Sequence, residues 1–193
     1  PGLIWHRETS RWRRPEELVP AKSSSGYINT TVQGVSVSGL HHTDPRAAGA
    51  VIHALTNIPS KFLRGLGVRV SETSIGNSLF GEAVAEHKFG NIIISGQAIR
   101  TDSPESIHRT LRHEVGHYVE HQVSRRAYPG VTDQDIENAA NERGGAAGGR
   151  NLGDSRARQR ASERWADLFA DRLANSSRKF GPNAEKVFQL LGM

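Results

Sequence analysis

Residues 103–123 have to satisfy two helical patterns at once. His113-Glu114-Val115-Gly116-His117 sets two histidines four residues apart, so on a helix both imidazoles lie on one face and can address one metal ion. Glu114 projects about 100° round the helix from His113, which puts a carboxylate beside such an ion rather than on it. Ile107, Leu111, Val115, Tyr118 and Gln122 fall on the other side at spacings of three and four. That stripe gives the helix a face to bury while the histidine face is left for chemistry. Thr101 or Ser103, with Pro104 and Glu105 following, supplies the start of the helix.

The spacing suits zinc. A closed structural zinc site takes four protein ligands, usually with thiolates among them, and this chain has no cysteine. A site with an open position fits better, and it needs a third protein ligand from elsewhere. His121 lies two turns beyond His113, about 12 Å along the axis at about 1.5 Å per residue, too far for convergence on one ion. The better candidate is Glu163 in Ser162-Glu163-Arg164-Trp165-Ala166-Asp167-Leu168-Phe169-Ala170-Asp171. It opens a second strong helical pattern, lies off the stripe of Trp165, Leu168, Phe169 and Leu173, and has Asp167 one turn on. Asp167 is placed to accept a hydrogen bond from the outer nitrogen of a liganding histidine.

With these residues the chain resembles the gluzincin metallopeptidases, in which H-E-x-x-H is followed later by a glutamate ligand; the likeness covers 113–117 and 163–170. The run Glu163 to Ala170 is also similar to the ligand helix of the anthrax-lethal-factor-like toxin peptidases and to the E-x-x-A-x-x-F-A run of ImmA-type peptidases. Metzincins would place glycine at 120 and histidine at 123, where this chain has Glu120 and Val123. The resemblance implies an α+β, zincin-like fold: a small twisted mixed sheet, an active-site helix, and a helical C-terminal part supplying Glu163. It implies a zinc-dependent endopeptidase with His113, His117 and Glu163 on Zn2+, Glu114 as general base and Asp167 behind the ligands. It also implies a protein or peptide substrate lying by strand addition along an edge strand, Asn91 to Ser95, against Ile93 and Ser95. The group that stabilises the oxyanion stays open among Tyr118, Tyr128, His121 and the arginines near 156.

Along the chain, residues 1–25 read as an arm or linker and 26–193 as one domain. Two short strands or a hairpin are expected over 27–32 and 34–38, a helix over about 45–57 behind Asp44-Pro45, and a strand at 68–70. Residues 72–88 read as a loop on the substrate side, and 89–96 as the strongest strand. A short helix over 133–142, a glycine-rich loop over 144–153, a helix over 162–173 and a last helix over 184–191 follow. His53 reads as a solvated helix histidine.

No apolar run approaches the roughly 20 residues of a bilayer span. A chain that begins at Pro1 and has its single methionine at Met193 is expected to be a processed or excised product. A formal charge of +5 makes a basic non-enzymatic binding module, for nucleic acid or protein, the competing reading. The arginines are dispersed among acids without interleaved aromatics, which disfavours nucleic acid. Basic composition and absent cysteine would also suit the effector domain of a larger secreted toxin, delivered into a target cell by an upstream domain and held by a cognate inhibitor.

Overall fold

The computed structural model describes residues 4–6, 11–13, 29–72, 75–78, 81–83, 85–88, 90–143, 155–175 and 177–193. The architecture is mixed α+β, and the chain divides into two compact units, 1–111 and 112–193. The division falls inside the long helix that carries the histidine pair. Within the expected arm, β1 (Ile4–His6) and β2 (Arg11–Arg13) pair antiparallel. The glycine-rich loop over 144–153 lies outside the described residues.

The first unit is built on a sheet of β3 (Thr30–Val32), β4 (Val35–Ser38), β5 (Gly67–Ser71), β8 (Ala85–Lys88) and β9 (Asn91–Ser95), in the spatial order β3-β4-β5-β9-β8. The three central strands are parallel, and β3 and β8 flank them antiparallel. Between β3 and β4 the chain reverses on Gln33 and Gly34, both left-handed at φ 50° and 83°, as a two-residue hairpin requires. The unusual conformation of Gln33 is offset by its amide, which donates to the carbonyls of Leu55 and Thr56 at the end of α1 (Pro45–Thr56). Asp44 caps α1 at the other end by accepting from the Ala47 N–H at 3.0 Å. Val35, Val37, Val68, Val70, Ile92 and Ile94 are all buried, whereas Ser36, Arg69 and Asn91 at the alternating positions are exposed. One face of the sheet therefore belongs to the core and the other to solvent.

Three expectations are corrected here. Residues 72–88 are not a loop: β6 (Ile75–Ser78) and β7 (Gly81–Ala83) form a hairpin, and β8 joins the main sheet. Ala85-Glu86-His87-Lys88 has no apolar alternation to reveal a strand, because its place is set by backbone hydrogen bonds to β9. Asn91 to Ser95 is in turn not an edge. β9 is paired with β5 on one side and β8 on the other, so its backbone has no free row for a substrate strand, and Ser95 is buried with its hydroxyl accepting from the Ala98 N–H. Ile93 lies on the polar sheet face, beside a groove of about 340 Å³ shared with Ser36, Ser38, Arg69 and Lys88. Finally, His53 is half-buried and engaged rather than simply solvated. Its Nδ1 is 3.2 Å from His108 Nε2, its Nε2 meets Asn57 Nδ2 at 3.0 Å, and burial holds its pKa below the ordinary value.

The long helix α2 (Pro104–Ser124) starts on Ser103, whose hydroxyl accepts from the Ser106 N–H at 3.1 Å. In the second unit its remainder joins α3 (Asp133–Arg143), α4 (Ser155–Ala174) and α5 (Pro182–Leu190). The start of α4 was not legible, since Arg158, Gln159 and Arg160 are exposed and carry no apolar stripe. Trp165 is fully buried between Phe169 and Phe188, with ring centroids 5.9 and 5.8 Å away. Glu142 at the end of α3 accepts from the Asn183 and Ala184 N–H groups and so caps α5 from outside it.

Helices α2 and α4 meet at Gly116. A methyl group there would lie 2.8 Å from Ala166 Cα and 3.2 Å from Phe169 Cβ, and the Trp165 indole donates to the Gly116 carbonyl at 3.0 Å. Gly116→Ala would gain up to about 1 kcal/mol of helix propensity. Forcing the backbones apart costs about 1–3 kcal/mol, so net destabilisation is expected. Thermal unfolding of the metal-free variant reads this directly, and an unchanged or higher midpoint would show that the helices have room to spare.

Candidate metal centre

Every residue of the centre belongs to the second unit. His113 and His117 stand one turn apart on α2, and Glu163 and Asp167 stand one turn apart on α4, so the close contact at Gly116 sets two pairs of side chains against each other. Nε2 of His113 and Nε2 of His117 are 3.2 Å apart. Glu163 Oε2 is 3.3 Å from the first and 3.7 Å from the second. Tetrahedral ligation with bonds of about 2.0–2.1 Å requires donors about 3.3–3.4 Å from one another. The three atoms thus fit one zinc-sized ion with little adjustment. Among the described residues this is the one trio of such side chains so gathered.

The outer nitrogens are also engaged. His113 Nδ1 lies 3.2 Å from Asp167 Oδ1, the placement expected from the turn that separates Asp167 from Glu163. His117 Nδ1 lies 3.1 Å from Ser162 Oγ, which in turn donates to Glu120 Oε2. Ser162 and Glu120 were not singled out in the sequence. The available signal was the position of Glu120 three residues after His117 on the same helix. His121 is not part of the trio, and Tyr118 is fully buried in the core, which removes it from the candidates for oxyanion stabilisation. Glu114 is 7% exposed.

No family model, curated protein or solved structure matches the chain.

The electrostatics favour a cation at the centre. Burial alone would push the His117 imidazolium down, but hydrogen bonds with Glu120 and Glu163 and the charge of Glu114 outweigh it, carrying the pKa up to about 10. The Glu163 carboxyl, although half exposed, is held well below its usual range by hydrogen bonds from His113 and His117. Without metal, these carboxylates favour the protonated form of His117. His117 gains partners on folding, so its proton stabilises the metal-free protein fully below the ordinary value of 6.5, and that contribution disappears as pH rises through about 10. An ion must displace this proton. Zinc affinity is accordingly expected to rise about tenfold per pH unit between about pH 7 and 10, with about one proton released. Competitive chelator titrations across that range, with calorimetry in buffers of different ionisation enthalpy, measure both, and a flat profile would contradict the assignment.

Asp167→Ala is expected to weaken zinc affinity by about 10- to 100-fold while α4 stays folded, since the carboxylate orients His113 without touching the ion. Unchanged affinity in the same titration would reduce Asp167 to a surface charge.

Proposed function

We propose that the chain is a zinc-dependent endopeptidase of gluzincin type. The observation that carries this reading is the convergence of His113 Nε2, His117 Nε2 and Glu163 Oε2 within 3.2–3.7 Å of one another, beside a buried glutamate. A set of two histidines and one glutamate leaves a tetrahedral zinc one open position, the arrangement of catalytic rather than structural sites. When bound, the ion would acidify a water and polarise a carbonyl.

The remaining work falls to the chain's own groups. Glu114 follows His113 directly, about 100° further round the helix, and lies outside the trio while its charge still acts on His117, so it is suited to hold a proton instead of a metal. In peptide hydrolysis it takes the proton of the attacking water and passes it to the leaving amine. Asp167 keeps His113 aimed at the centre. The substrate is a protein or peptide, and because Asn91 to Ser95 is paired on both sides, its binding strand has to be found elsewhere. Among the described residues no helix is long and apolar enough to cross a membrane.

Glu114→Gln keeps the shape but not the basicity. It is expected to leave fold and zinc content intact while lowering turnover by at least about 10²-fold. Elemental analysis together with a proteome-wide cleavage profile of wild type and variant tests the proposal. Stoichiometric zinc with Glu114-dependent cleavage supports it. Metal-free protein that binds nucleic acid with steep salt dependence would point to the basic binding module instead.

A further inference from the structure

We infer that Glu120, acting through Ser162, positions His117 as a metal ligand by fixing which of its ring nitrogens carries hydrogen. This deepens the metal-binding reading of His113, His117 and Glu163 and rests on it.

Ser162 Oγ stands between His117 Nδ1, at 3.1 Å, and Glu120 Oε2, at 2.5 Å. A serine hydroxyl has one hydrogen to give, and an ionised carboxylate can only accept. The hydrogen therefore goes to Glu120, and Ser162 has only lone pairs left for the imidazole. Nδ1 of His117 must then be the donor. That leaves Nε2, which faces His113 Nε2 and Glu163 Oε2, as the atom that meets the cation. Were Ser162 to donate to Nδ1 instead, a neutral ring would carry its hydrogen on Nε2, pointed into the centre, and an ion could not bind until it moved. The direction Nδ1–H to Oγ–H to carboxylate is the same whether Nε2 carries a proton or a metal, so nothing has to reorganise on binding.

The two histidines are thus supported differently. His113 meets a carboxylate directly at Asp167, whereas His117 reaches one through a hydroxyl. Glu120 Oε2 is also only 3.7 Å from His117 Nδ1. If the hydroxyl were removed, a shift of a few tenths of an ångström would let the carboxylate accept from Nδ1 itself. If the carboxylate were removed, Ser162 could turn either way and the order would be lost. The distal residue should therefore matter more than the proximal one, the reverse of what a simple contact with Ser162 would give.

The test uses the full chain with Glu120→Ala, Glu120→Gln, Ser162→Ala and Ser162→Thr, probed with zinc alone. Glu120→Ala is expected to weaken zinc binding by about 10- to 100-fold, the range for loss of a group that orients a ligand. Ser162→Ala should cost less than Glu120→Ala, and Ser162→Thr should restore wild-type affinity. In nuclear magnetic resonance spectra of the zinc-loaded protein, the His117 Nδ1–H should exchange slowly in the wild type and in Ser162→Ala, and fast in Glu120→Ala. If the alanine variant at 120 does not fold, Glu120→Gln decides, with a loss of affinity expected from the missing charge. Zinc affinity and exchange unchanged by the Glu120 variants, or Ser162→Ala at least as damaging as Glu120→Ala, would overturn the inference while leaving the metal trio in place. Wild type and His117→Ala binding zinc equally weakly would instead remove the metal reading, and the positioning role with it.

Discussion

The centre depends on how closely two helices can approach. Gly116 presents no side chain to Ala166, and Trp165 reaches back to the Gly116 carbonyl, so α2 and α4 touch backbone to backbone at one point. From that point the periodicity of each helix does the rest. His113 and His117 flank Gly116 on α2, and Ser162, Glu163 and Asp167 flank Ala166 on α4. A few tenths of an ångström more between the axes would spread donors that now stand 3.2–3.7 Å apart. The same contact is anchored by the largest buried side chain of the unit, Trp165, stacked on Phe188 of α5. Packing of the C-terminal helices and geometry of the centre are therefore one problem with one solution.

Charge explains why the arrangement calls for a cation. Glu114, Glu120 and Glu163 all act on His117, and Asp167 stands behind His113. So many carboxylates around two imidazoles would repel one another unless something positive sat among them. A proton can serve, and the raised His117 pKa expresses that preference. On the proposed reading a divalent ion would take the proton's place, with each donor atom meeting it directly. The first unit solves a different problem. Its sheet buries one row of valines and isoleucines and shows solvent a polar face, and its strand order leaves β8 rather than β9 outermost among the described residues.

Much of this was legible in the chain itself, wherever local pattern and local chemistry agree. The i, i+4 histidines with an apolar stripe opposite defined α2, Asp44-Pro45 defined the start of α1, and the Trp165 and Phe169 stripe placed Glu163 and Asp167 on a common face of α4. These features repeat with the helical period or sit at helix ends, so a few residues suffice to reveal them. The strand at Ala85–Lys88 and the first turns of α4 escaped for the converse reason. Glu86, His87, Lys88, Arg158, Gln159 and Arg160 are polar and exposed or half exposed, and a strand held by its neighbour's backbone leaves no mark in its own side chains.

What the sequence by itself determined was a spacing of side chains: two imidazoles one helical turn apart, a glutamate next to the first, and a second glutamate with an acid one turn on. The tertiary structure alone decided which atoms of those side chains face inward. Nothing local reveals that the glycine inside H-E-x-x-H is the seat of Ala166, that Ser162 and Glu120 stand behind His117, or that Asn91 to Ser95 is covered on both sides. Each of these joins residues from elements tens of positions apart. Periodicity informs on one element at a time, and only packing brings the elements together.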